Sequence, residues 1–169
     1  DKNAPGCVII LNPALNISQP IELSATVAST NVTCFGKANG TIVISSPLGG
    51  SGTYQYSRNG GSSWQATGTF TALGPGTYNI MIRDAAVPSC FRSLGSVVIT
   101  QPAQLRVDDI TILKGLTCNE GSDGRLQALV SGGTTPYTYN WYVNQSGSWI
   151  ALGQNTAIAS NLPQGWYEV

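Results

Sequence analysis

Histidine is absent from these 169 residues, and with it go the Ser-His-Asp triad, the Cys-His dyad and every imidazole general base. No Ser-x-x-Lys arrangement stands in for them. Charge is scarce too: charged residues make up 9 %, against roughly 25 % in ordinary globular chains, and eight acids balance eight bases. A neutral, polar surface follows, without the basic footprint that nucleic acid or an anionic membrane attracts. No apolar run reaches the length of a bilayer span and no signal peptide opens the chain, so a mature, soluble segment is expected.

The carboxylates are Asp1, Glu22, Asp84, Asp108, Asp109, Glu120, Asp123 and Glu168. A glycosidase needs two of them facing across a cleft, whereas these mostly stand singly at turns and strand ends. Asp108 and Asp109 are neighbours that a strand would point to opposite faces. Residues 49–52 are glycine-rich but lack the lysine and helix of a phosphate cradle. Residues 119–124 gather oxygen ligands without matching the twelve-residue calcium loop, and are taken as a hydrated turn. No catalytic residue, metal or cofactor is expected, and the chain is not expected to be an enzyme.

What is present is a repeat. Cys34, Gly36, Asn39, Gly40, Gly49, Gly50, Tyr54, Tyr56, Leu73, Gly76 and Tyr78 recur as Cys118, Glu120, Asp123, Gly124, Gly132, Gly133, Tyr137, Tyr139, Leu162, Gly165 and Tyr167. The offset is 84 from Cys34 to Cys118 and 89 from Leu73 to Leu162, as one enlarged loop would produce. Asp84, Cys90, Gln101 and Pro102 echo Asp1, Cys7, Gln19 and Pro20 in the same order. The expected organisation is therefore the terminal strand of a preceding module at 1–20, a complete module at 21–102, and a second module at 103–169 lacking its last strand.

Patterning is β throughout. Ile21, Leu23, Ala25 and Val27 alternate with polar residues, as do Ile42 and Ile44, and then Tyr78, Ile80 and Ile82. Asn59 with Gly60, and the Gly74, Pro75, Gly76 run, set turns, while Pro20 and Pro102 end strands at module junctions. Six or seven short strands in about 83 residues predict an all-β chain of tandem immunoglobulin-like β-sandwich modules, the first and last truncated. Tyr137, Tyr139 and Trp141 share one side of a strand. They are read as core, because Tyr54 and Tyr56 recur with the same parity, although such rows can also stack on sugars. Asn16, Asn31, Asn39 and Asn144 open glycosylation triplets that matter only in a host that uses them.

Four cysteines without a Cys-x-x-Cys pair disfavour zinc. Cys34 and Cys90 flank the complete module, so a disulfide between them would tie its beginning to its end, stabilising it by about 4 kcal/mol on the chain-entropy model. Cys7 and Cys118 would then pair with neighbouring copies. Oxidation implies an extracytoplasmic location. Buried free thiols are the alternative.

The combination of Cys34, Gly36, Asn39, Gly40, Gly49, Gly50, the stretch from Tyr54 through Arg58 to Trp64, Phe70, Leu73, Gly76, Tyr78, Asp84 and Cys90 resembles the SprB repeat of gliding-motility surface adhesins in Bacteroidetes. Gly132, Gly133, Pro136, Tyr137, Tyr139 and Trp141 resemble its other common form. The resemblance implies type IX secretion, an extracellular place on the cell surface, and a part in adhesion and gliding, with no catalytic residues. Glu120 in place of Gly36, and Arg58 in place of Trp141, depart from a common pattern and argue against one shared ligand surface.

Two functions follow as expectations. One is a structural and adhesive stalk module whose partners are neighbouring modules head to tail, with surface polysaccharide as a further candidate partner. The other is a carbohydrate-binding sandwich, in which Trp64, Trp149 or Trp166 would be exposed beside polar groups. The open edge expected on the second module would be filled by residues 8–17 of a neighbouring copy, which places the Cys7 of the copy that supplies the strand near the Cys118 of the copy that receives it.

Overall fold

The computed structural model describes Asn3 and residues 16–169. The terminal strand expected at 1–20, Cys7 included, therefore lies almost wholly outside the described residues. Twelve strands and no helix occur among the described residues: β1 Ser24–Thr30, β2 Gly40–Leu48, β3 Tyr54–Ser57, β4 Thr69–Leu73, β5 Gly76–Asp84, β6 Phe91–Ile99, β7 Arg106–Lys114, β8 Gly124–Ser131, β9 Tyr142–Gln145, β10 Ser148–Ala151, β11 Ile158–Leu162 and β12 Tyr167–Glu168. Among the described residues no helix is long and apolar enough to cross a membrane.

The strands form four three-stranded sheets, ordered β1-β2-β4, β3-β5-β6, β11-β8-β7 and β10-β9-β12. Each repeat thus supplies two small sheets with antiparallel pairing, the plan of an immunoglobulin-like sandwich. The duplicated sequence produces duplicated registers. Gly40 stands opposite Leu73, and Gly124 opposite Leu162, each beside a register shift. The residue before each leucine, Ala72 or Asn161, takes a left-handed φ of 54° or 57°, so both copies carry the same bulge.

By packing, the chain falls into two compact units. Among the described residues, one takes 16–27 with Ile44–Gly68 and Asn79–Gly95; the other takes Ala28–Val43, Thr69–Tyr78 and Ser96–Val169. The first buries Leu23, Ile44, Tyr56, Ile80 and Ile82, the apolar half of the period-2 pattern. In the second, the side chain of Ile99 on β6 lies directly over Gly40, where an added Cβ would come within 2.9 Å of it. A second cluster joins Ala128, Trp141, Ala159 and Leu162, with Ile110, Leu126, Tyr139 and Tyr167 packed around it. That cluster draws on β7, β8, β11 and β12, so the two sheets of the second repeat share one core.

Candidate interaction surface

The same hydrogen bonds recur in both repeats. Thr33 N–H donates to the Asn39 Oδ1 at 3.1 Å, and Asn39 Nδ2 donates to the Thr33 hydroxyl at 2.7 Å. Thr117 N–H donates to Asp123 Oδ1 at 3.1 Å, and the Thr117 hydroxyl donates to Asp123 Oδ2 at 2.7 Å. Each pin holds the turn that follows: Lys37 N–H to the Cys34 carbonyl, and Gly121 N–H to the Cys118 carbonyl. Tyr54 donates to the Gly49 carbonyl as Tyr137 does to Gly132, and Tyr78 to Gly74 as Tyr167 does to Pro163. These tyrosines are repeated for their hydroxyls as well as their rings, since a half-buried ring that pins a turn carbonyl fixes the loop it reaches.

Asp84 marks the repeat in sequence, and packing gives it a function that the sequence did not disclose. It is buried, and its carboxylate accepts from Ser51 N–H, the Ser51 hydroxyl and the N–H groups of Ala86 and Val87. The Ser51 hydroxyl, followed by the backbone donors, holds the Asp84 carboxyl below its ordinary range against the opposing effect of burial. The clasp ties the Gly49 to Ser51 turn to the end of β5. Asp123 is held far below the carboxylate range by the Lys114 ammonium and then by Thr117. Its oxygens are thus taken by protein donors, Thr117 and Lys114. Asp108 pairs with Arg106, Glu22 with Arg92, and Asp109 accepts from Ile110 N–H. Among the described residues no three metal-ligating side chains converge.

Cys34, Cys90 and Cys118 are exposed thiols with no Cys34–Cys90 bond in this structure, and they are not buried. Their positions explain it. Val32 N–H donates to the Thr100 carbonyl and Gly36 N–H to the Gln101 side chain, which sets the Cys34 turn at the Ile99 end of β6. Cys90 immediately precedes Phe91, at the other end of that strand. A nine-residue strand is about 30 Å long, whereas bridged Cα atoms lie within roughly 7 Å. Flanking a module in sequence does not bring two cysteines to the same pole of a sandwich.

Aromatic placement is mixed. Trp141 is 0 % exposed and donates from its indole to the Thr156 carbonyl at 2.9 Å, as the core reading predicts. Trp166 is 82 % exposed and Trp149 44 %, with Ile150 exposed beside Trp149 on β10. Trp64 is half-buried under the Arg83 guanidinium, 4.4 Å from the ring centroid, in a shallow hollow with Met81, Pro88 and Phe91. Arg83 is also fixed by donating to Gln55 Oε1 at 2.8 Å. This cation-π pair was not apparent in sequence, since nothing in the spacing of residues 64 and 83 signals it; the β3-β5 register does, by setting Arg83 opposite Gln55.

Comparison with known proteins agrees with the duplicated geometry. The SprB repeat family matches residues 26–63 and again 111–146. None of the curated proteins compared with the chain matches it. Among solved structures, the chain is similar to the three N-terminal domains of the bacteriophage RB49 highly immunogenic outer capsid protein, Hoc, at 16 % identity and a TM-score of 0.46, over 86 % of this chain. The chain spans about half, 52 %, of that structure's length.

Proposed function

This chain carries two SprB repeats, and we propose that it is a structural and adhesive segment of a large bacterial cell-surface filament, acting in surface attachment and gliding. The observation that carries this reading is the recurrence of the same pins, 84 residues apart, on Cys34 and Cys118 turns that expose no reactive constellation. Selection for a reaction would preserve one site, whereas selection for reach preserves a module and copies it. The modules are those expected from the sequence, 21–102 and 103–169, joined head to tail, secreted by the type IX route and displayed outside the cell. Many weak contacts along such an array combine by avidity without a strong site in any one module. The reading assigns no catalytic role and no cofactor. Antibodies raised to this chain should label intact cells of the source bacterium along surface filaments; labelling only after the cells are broken open would refute it.

A second reading has a specific observation in its favour: Trp166 and Trp149 are exposed on the second repeat, as a polysaccharide-binding module requires. Titrating the chain with surface polysaccharide while following tryptophan fluorescence decides between them. A saturable change that disappears in Trp166→Ala assigns carbohydrate binding to the module itself, and an unchanged spectrum leaves the stalk.

A further inference from the structure

The exposed thiols of this chain occupy two hollows that are equivalent positions in the repeat. Cys34 and Phe35 line one hollow with Ala103, Gln104, Leu105 and Gly133. Cys90 lines another with Pro20, Ile21, Glu22 and Leu23. Residues 103–105 are the second repeat's counterparts of residues 21–23, since Gln101 and Pro102 lead into them as Gln19 and Pro20 do into the others. The packing agrees. A Cβ on Gly49 would meet the Ile21 and Glu22 carbonyl oxygens at 2.6 and 2.7 Å, and one on Gly132 would meet those of Ala103 and Gln104. Likewise a Cβ on Gly50 would touch the Leu23 side chain at 3.1 Å, and one on Gly133 that of Leu105 at 3.1 Å.

The lead-in segment of a repeat is therefore flanked by two cysteines of different origin. One is the Cys34-type thiol of the repeat before it, and the other is the Cys90-type thiol of its own repeat. Cys118 is presented as Cys34 is, on a turn closed by the same backbone bond and pinned by Asp123 in place of Asn39. Both thiols are exposed.

We propose that successive repeats are stapled by a disulfide from the Cys34-type thiol of one to the Cys90-type thiol of the next, which in copies of this chain set head to tail joins Cys118 of one copy to Cys90 of the following copy. The oxidant is a small-molecule disulfide such as glutathione disulfide, which an oxidising exterior supplies. One protein thiolate attacks it, forming a mixed disulfide and releasing one glutathione; the second protein thiolate attacks the mixed disulfide and releases the other. Two protein thiols give up two electrons and two protons, and one glutathione disulfide becomes two glutathiones. The result is an array covalently closed at each junction, where pulling force passes from module to module.

This inference rests on reading the chain as part of a tandem array. The test uses two full chains joined end to end in one polypeptide, exposed to glutathione disulfide and mapped by mass spectrometry without reductant. The expected result is a Cys90–Cys118 linked peptide that is lost with Cys118→Ser in the first copy and retained with the same change in the second. Cys34 bonded to Cys90, Cys90–Cys118 linkage within one copy, or thiols that all stay free would each overturn the staple. Sedimentation of the same protein in reductant reports on the array separately: an extended particle there, together with thiols that stay free under glutathione disulfide, would sink the staple alone, and a compact particle would sink the array with it.

Discussion

The two repeats solve the same mechanical problem with different chemistry, and the clearest instance is Asn39 against Asp123. Both side chains pin a threonine, Thr33 or Thr117, and so shape the turn that carries a cysteine. The neutral version uses the amide as donor and acceptor. The ionised version accepts twice and adds Lys114 at 2.8 Å, while Thr30, in the first repeat, instead meets the Thr41 hydroxyl at 2.8 Å. Geometry is retained and charge is free to vary, as expected when a module is kept for its shape rather than for a reacting group. Trp141 and Arg58 make the same point in the core: one is fully buried and the other exposed, at equivalent positions in the chain.

That last pair gives the largest expected effect. Trp141→Ala should destabilise the second repeat by about 3–5 kcal/mol, as large-to-small changes in cores do. Arg58→Ala, at an exposed side chain, should cost much less, about 1 kcal/mol or below, as exposed polar interactions do. Denaturant melts of the two variants check the contrast, and equal losses would mean that Arg58 carries core packing in the first repeat.

Gly49 and Gly132 should respond alike, because each has a left-handed φ, 83° or 73°, and each faces the carbonyls of its own lead-in segment. Alanine at either should cost roughly 1–3 kcal/mol from backbone strain and close contact. A loss at only one would break the equivalence of the two junction hollows. A smaller effect of opposite sign is expected at Glu120, which sits at φ 58° where the first repeat has Gly36 at 73°. Glu120→Gly should stabilise by about 1 kcal/mol or less, and Gly36→Glu should cost a similar amount, because the left-handed region penalises any Cβ. Calorimetry of both variants tests the pair together.

The fold was legible in sequence where periodicity and repetition both spoke. Ile42, Ile44, Ile80 and Ile82 alternate in the chain and are buried in the structure, and the SprB resemblance is matched in both copies. Ile21 follows the same alternation and is 78 % exposed, whereas Leu23, two residues on and also ahead of β1, is buried. The cysteines were visible as repeat markers, but sequence order says which elements a residue separates, not where on the sandwich it lies. Asp84 was visible as a motif, but its clasp depends on Ser51, 33 residues away, and the Trp64–Arg83 pair depends on sheet register. Long-range geometry of that kind leaves no local pattern.

Among these perturbations the smallest expected effect is that of pH between 5 and 8, where the chain has no histidine to change charge and the melting temperature should be nearly flat. Below that window the two repeats share a liability. Asp84 and Asp123 are both lowered in the folded state, so the stability they contribute is present above the unfolded carboxylate value near pH 4 and is lost as pH falls toward their folded values. Asp123→Asn should flatten this acid limb for the second repeat and lower its plateau, because the stability that the ionised carboxylate contributes above the limb is lost with it, and a sloping plateau in the parent protein would reveal a perturbed group elsewhere.

The central claim, that the chain is a length-giving repeat segment, is tested most directly by small-angle X-ray scattering of one chain and of two chains joined end to end. Modules of this size should each add roughly 35–45 Å, so the second copy should lengthen the particle by about 70–90 Å at nearly constant cross-section. A maximum dimension that grows only by the small increment of a compacting globule would contradict it.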